Sequence, residues 1–124
     1  MTTNIRVIRA HDFVRATADG KIDFEMSKKL LREVAEAAAT LVDYEIILDT
    51  RNTQGELSVG NLWFLAAELR DLGEAFHRKT AVLCPLERFD SAKFFELCAK
   101  NRGFRVSAFT SYEEAMEWLM SSET

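Results

Sequence analysis

The stretch Tyr44-Glu45-Ile46-Ile47-Leu48-Asp49-Thr50-Arg51 is a short apolar run that stops at an acid. A polar loop follows, Asn52-Thr53-Gln54-Gly55-Glu56, and a helical pattern opens at Ser58. Such a run, apolar at consecutive positions, suits a strand buried on both faces, as parallel strands are. Parallel strands need crossover connections, usually helices. A strand at 44–49 therefore calls for an α/β sheet around it. In open sheets of this kind ligands and partners meet the carboxyl ends of the strands. Asp49 and the loop after it are thus the first place to look for a site.

At 124 residues the chain reads as one domain, 1–124, able to bury roughly two thirds of its unfolded surface. Its formal net charge is −4, with 20 acids against 16 bases. That balance argues against nucleic acid or an anionic membrane surface as partner. Proteins and neutral small molecules stay open. Cys84 and Cys98 are the only cysteines, and His11 and His77 the only histidines. A structural zinc site needs about four such ligands, so no metal is expected. Gly55 and Gly60 form no dinucleotide or P-loop fingerprint, and no cofactor is expected. The start, Met1-Thr2-Thr3-Asn4-Ile5-Arg6, lacks a signal-peptide core. No apolar run approaches the ~20 residues of a membrane span. These features predict a cytoplasmic chain without a transmembrane segment, and two lone thiols agree with a reducing compartment.

Strands are expected at 4–9 and 12–18, joined as a hairpin through Arg9-Ala10-His11-Asp12. Asp19-Gly20-Lys21 reads as a turn, and Asp23 as the N-cap of a helix over about 24–41 with its stripe on Leu30, Leu31, Val34, Ala35, Ala38, Leu41 and Val42. After the 44–49 strand, a second helix over about 58–75 buries Leu62, Leu65, Ala66, Leu69, Leu72 and Phe76. Lys79–Cys84 reads as a strand cut off by Pro85. A third helix covers about 91–102, capped by Asp90, stapled by Phe89 on Phe94 and ended by Gly103. A strand at 104–109 alternates Val106 and Ala108 with Arg105 and Ser107, as an edge strand does. Ser111 and Glu114 form a capping box for a last helix with its stripe on Tyr112, Ala115, Met116 and Leu119. The order ββαβαβαβα predicts an α/β fold, a mixed, mostly parallel five-stranded sheet packed with four helices.

This order resembles the STAS fold, in particular the SpoIIAA-like proteins. The resemblance spans nearly the whole chain. It rests on Ile46-Ile47-Leu48-Asp49, a hydroxyl residue opening the next helix, Lys79-Thr80-Ala81-Val82-Leu83, and the closing Glu114-Ala115-Met116-Glu117-Trp118-Leu119. It implies a non-enzymatic regulatory domain like the anti-sigma-factor antagonists, whose serine at the start of the second helix is phosphorylated by a partner kinase. Ser58 is the residue that matches that position. The run around it reads Gln54-Gly55-Glu56-Leu57-Ser58-Val59-Gly60 where the family has an Asp-Ser-Ser-Gly-like run.

Each candidate has two readings. Ser58 is a phosphorylation candidate at a helix terminus that favours anions, or a plain N-cap. Asp49 contacts a ligand or braces the loop backbone, with Thr53 a weaker hydroxyl candidate in the same loop. A receiver-domain reading of Asp49 would need further acids after the first strand and a late lysine, whereas here that strand runs through Ala10-His11-Asp12 into a hairpin. About 100° per residue sets Phe64 roughly opposite the core stripe of its helix, beside Asn61, Glu68 and Asp71, with Trp63 on the flank. The pair is a candidate interface for a protein, a second subunit or an apolar ligand, or a set of single exposed aromatics. Phe95 and Trp118 fall on the flanks of their stripes and admit the same two readings. Cys84 and Cys98 read as packed hydrophobes, since neither heads a phosphatase loop, and His11 and His77 as solvated.

The expectation is a protein-interaction module working around the strand-to-helix segment at 44–75, probing an unidentified protein partner and forming a homodimer. Its first rival is a carrier or sensor of a small, lipid-like apolar ligand in a pocket beside the second helix, touched by Trp63. A large cavity would mark that rival. A second rival is an enzyme using Asp49 and Cys84.

Overall fold

The computed structural model describes residues 4–10 and 13–121. In chain order the elements are β1 (Asn4–Ala10), β2 (Phe13–Lys21), α1 (Phe24–Ala38), β3 (Glu45–Gln54), α2 (Val59–Asp71), β4 (Thr80–Leu83), α3 (Phe89–Lys100), β5 (Val106–Phe109) and α4 (Tyr112–Met120), with single 3-10 turns at Ala75–His77 and Leu86–Arg88. The five strands form one sheet in the order β1-β2-β3-β4-β5. β1 pairs antiparallel with β2, and every later pair is parallel. The expected mixed, mostly parallel sheet with four helices is therefore the observed one. The turn expected at Arg9-Ala10-His11-Asp12 involves His11 and Asp12, which lie outside the described residues.

The order follows from local chemistry. Parallel neighbours joined by right-handed crossovers step the chain across the sheet in one direction and leave each connecting helix on the same face. Accordingly α1, α2 and α3 share one face. Val14, Ala16, Ile46, Leu48 and Val106 meet Leu30, Val34, Leu65, Leu69 and Phe95 there in the main core. α4 follows the last strand and folds onto the opposite face, where Ala115 and Leu119 cover Ile47, Ala81 and Leu83. It covers only that part of the sheet. The far side of β1 and β2 has no helix over it among the described residues, and Ile8 there is 55% exposed.

Caps set most helix ends as expected. Asp23 accepts the Met26 N–H at 2.8 Å. Ser111 accepts the Glu114 N–H at 3.3 Å, one half of the expected capping box, with no return bond from the Glu114 side chain among the described residues. Gly103, at φ +88°, ends α3 in a Schellman arrangement: the Phe104 N–H reaches the Ala99 carbonyl and the Gly103 N–H the Lys100 carbonyl.

Five expectations need correction. The first helix ends at Ala38, not near 41, and Val42, expected on its stripe, is exposed beyond it. The second helix stops at Asp71, not near 75, because Gly73 adopts φ +74° and the chain restarts as a separate 3-10 turn. α3 begins at Phe89 without a side-chain cap, so Asp90 lies inside its first turn and Phe89 cannot staple from outside. A 3-10 turn after Pro85 runs straight into that helix. Asp19-Gly20-Lys21 is strand, not turn. Lastly, β3 continues five residues past Asp49, through the stretch expected to be a loop.

That last extension governs the site. Thr17 pairs with Asp49, but Asp19 pairs with Asn52, so β3 carries one residue more than β2 over this interval. The bulge reverses the in-out phase of the strand. The ladder then resumes through Gly20–Thr53 and Lys21–Gln54, and Ile22 donates its N–H to the Gln54 carbonyl at 2.8 Å.

Candidate functional site

The bulge sends Asp49 and Thr53 to opposite faces. Asp49 lies on the α4 side, 6% exposed. Its Oδ1 accepts the Arg51 backbone N–H at 3.1 Å and Arg51 Nε at 2.9 Å, and its Oδ2 accepts Arg51 Nη2 at 2.8 Å. Arg15 of β2 adds a longer contact, Nη2 to Oδ2 at 3.4 Å. Burial pushes the Asp49 carboxyl up, but the Arg51 hydrogen bonds and the charges of Arg51 and Arg15 outweigh it and hold the group below its ordinary value. Asp49 thus braces the turn of the strand onto Arg51. Arg15 also stacks over Tyr112, 5.3 Å from the ring centre, which joins the start of α4 to the same cluster.

Thr53 points the other way, into the space under α1, α2 and α3, and is buried. Its hydroxyl donates to the Thr50 carbonyl at 2.7 Å. Arg88, from the turn after β4, is the residue that fastens this segment. Its guanidinium donates to the carbonyls of Gly55 at 3.1 Å, Thr50 at 3.0 Å and Thr53 at 3.1 Å, and to the Thr53 hydroxyl. Sequence reasoning passed over Arg88. A base placed three residues after Pro85, at the same sheet edge as Asp49, was the available signal. Gly55 closes the segment at φ +113°, where an added Cβ would meet the Ile22 carbonyl oxygen at 2.7 Å.

Ser58 caps α2 and is exposed. Its hydroxyl accepts the Asn61 N–H at 3.0 Å, while its own N–H donates to Asn61 Oδ1 at 3.3 Å, a reciprocal capping box. The box was not foreseen, since Asn replaces the usual Glu or Gln. Beyond it α2 turns its apolar side chains two ways. Leu62, Leu65, Ala66 and Leu69 are buried, while Val59, Trp63 and Phe64 face solvent, Trp63 45% and Phe64 56% exposed. The two rings meet edge to face at 5.1 Å, and Arg102 of α3 lies over Trp63 at 4.7 Å. Phe95, expected on a flank, is buried in the core, and Trp118 lies half-buried against Phe109.

A cavity of about 110 Å³ lies at the carboxyl ends of β3 and β4 beside α2. Its walls include Leu48, Leu62, Leu65, Val82, Cys84 and Phe95, with Thr53 and Arg88 at its rim. Trp63 is not among them. Ligand pockets span roughly 300–1,000 Å³, so this one is small. Cys84 lines it, and burial, with a smaller push from Glu87, raises its thiol against the pull of Arg88. Asp49 sits on the other face of the sheet, so the two groups of the enzyme reading are not brought together.

No family model matches the chain, and no curated protein does. Solved structures do. The fold is similar to that of an uncharacterised protein from the DUF3478 family with a SpoIIAA-like fold from Shewanella loihica, with TM-score 0.59 and 20% identity over 94% of this chain and 93% of that one. It is also similar to an anti-sigma factor antagonist from Mycobacterium paratuberculosis, with TM-score 0.64 and 15% identity over 97% of this chain and 96% of that one. The architecture is therefore the SpoIIAA-like α/β fold that the resemblance in sequence implied.

Proposed function

We propose that this chain is a non-enzymatic regulatory domain that acts by binding another protein through the segment from the end of β3 to the middle of α2. One observation carries the reading: an exposed hydroxyl at the α2 terminus stands directly beside an exposed apolar cluster, Val59, Trp63 and Phe64. The backbone leading into α2 is held from behind by Arg88 and Thr53, so the surface is presented on a fixed support. Aromatic residues on such a support are what protein interfaces use as anchors. The likeness to a protein named an anti-sigma factor antagonist agrees with this reading.

Ser58 is the proposed control point. A phosphate there would meet the free N–H groups of the first turn of α2 and the positive end of its dipole. It would also add about −1.5 to −2 charges beside an apolar patch, which disfavours an apolar partner. The test uses protein from its own host, in three forms: native, Ser58→Ala and Ser58→Asp. A protein recovered with the first two and lost with the third supports the switch. Equal recovery with all three overturns it.

The cavity beside α2 is the observation behind a second reading, a carrier of a small apolar ligand. At about 110 Å³ it lies below the usual ligand range, whereas a hollow of about 610 Å³ lies at the other end of α2, lined by Leu41, Tyr44, Leu72 and His77 among others. A small molecule retained in native mass spectrometry and released on denaturation would bring that reading forward.

A further inference from the structure

The cavity at the carboxyl ends of β3 and β4 has Leu30, Leu48, Leu62, Leu65 and Phe95 in its wall, all buried. The polar side chains that line it are turned to other partners. Ser27, Thr50 and Thr53 each donate the hydroxyl hydrogen to a backbone carbonyl, of Asp23 at 2.8 Å, Leu83 at 2.7 Å and Thr50 at 2.7 Å. Cys84 Sγ lies 3.6 Å from the Phe109 carbonyl oxygen. The Arg88 guanidinium is spread over three carbonyls and the Thr53 hydroxyl. Ser91 is half-buried and keeps contact with solvent.

A water held in a cavity needs about two to four polar partners. Here the inward hydroxyl and thiol hydrogens are already given away, so water inside gains little. An empty space forfeits the dispersion contacts of its walls. Apolar cavities of about 150 Å³ stay dry and take up benzene or xenon. We infer that this cavity, about 110 Å³ in volume, is a binding site for a small uncharged hydrocarbon of roughly five carbons without a hydrogen-bonding group. The site rests on the carrier reading above and narrows its ligand class, and it is independent of the Ser58 surface. A hydroxyl or carboxylate carried inside would be buried with no spare donor to meet it, which opposes entry.

The test is an amide and methyl NMR titration of the whole chain with cyclopentane and, in a second sample, with xenon under pressure. Cyclopentanol and cyclopentanecarboxylate serve as comparisons, since they add a hydroxyl or a charge to the same ring. The expected result is saturable movement at Leu30, Leu48, Leu62, Leu65 and Val82 with both cyclopentane and xenon. Cyclopentanol should bind at least about tenfold more weakly, and the carboxylate not at all. Ala92 also lines the cavity, and Ala92→Leu, which fills it, should abolish the movement. The xenon titration of the native chain keeps the site testable if that variant misfolds. No saturable movement with either probe, movement confined to the hollow around Tyr44 and Leu72, equal binding of cyclopentanol, or binding of the carboxylate would each overturn it. Native mass spectrometry of protein from its own host separates this site from the wider carrier reading. A retained lipid on a chain that ignores cyclopentane and xenon sinks the site and leaves the carrier. Saturable cyclopentane binding on a chain that retains no host molecule upholds the site and leaves the carrier without support.

Discussion

Ser58 satisfies the Asn61 N–H and is itself satisfied by Asn61. Ser58→Ala should therefore cost about 1 kcal/mol in urea denaturation, whatever else the hydroxyl does. Ser58→Gly should cost only a few tenths. Gly55→Ala should cost more, about 1–3 kcal/mol, because a side chain must then sit at φ +113° against the Ile22 carbonyl. Asp49 and Glu96 set the acid limb of stability. Burial raises both carboxyls. For Asp49 the Arg51 bonds and nearby arginines more than offset it; for Glu96 the Ala108 N–H, Lys100 and Lys93 do. Both folded groups thus hold their protons less tightly than the unfolded chain does. The stability they add is complete above their ordinary values, 3.8 and 4.5, and is lost as pH falls through the lower folded values. Denaturation midpoints measured downward from about pH 5 should decline steeply in the native chain and less so in Asp49→Asn or Glu96→Gln. An unchanged acid limb in both variants would contradict this. Serine as a cap and aspartate at a strand end were legible because their roles depend on near neighbours in sequence. The roles of Arg88 and Glu96 were not, since each acts on backbone far away in the chain. Lys79 is a third case: its ammonium closes the end of α4 by donating to the Trp118 and Ser121 carbonyls, at 2.9 Å each.

At the scale of elements, the apolar stripes of α1 and α2 and the buried run of β3 were readable because burial imposes a period on them. The extension of β3 beyond Asp49 was not. Asn52, Thr53 and Gln54 look like loop residues, yet the neighbouring strand supplies their backbone partners and the bulge re-aims their side chains. Ladder hydrogen bonds are indifferent to side-chain polarity, so a polar strand end leaves little trace in a pattern of hydrophobicity. Gly73, by contrast, was a visible stop signal for α2 that the continuing stripe through Leu72 and Phe76 overrode. The outward face of α2 bears on the oligomer. If Phe64 sits between two copies, Phe64→Glu should elute as a monomer with unchanged circular dichroism, since the charge is buried only in the assembly. Unaltered elution would move Phe64 from a self-interface to a partner interface or to plain exposure.

At the scale of the molecule, the placement of helices decides which surfaces are free. Three crossovers cover one sheet face, and α4 covers part of the other, so the α2 rim and the β1–β3 face are left for contacts. No helix among the described residues is long and apolar enough to cross a membrane. The order of elements carried the fold because one handedness rule governs the three crossovers that join the parallel strands. The division of the candidate residues among two sheet faces and one helix rim could not be read the same way, because one bulge sets it. The most direct measurement is site-specific photo-crosslinking in the native host, with a photoreactive residue at position 64 and, as comparison, at position 42. Val42 is 92% exposed in the α1–β3 connection, away from the α2 rim. The account predicts one defined protein adduct from position 64, diminished by Ser58→Asp, and none from position 42. No adduct at position 64, or the same adducts from both positions, would contradict it.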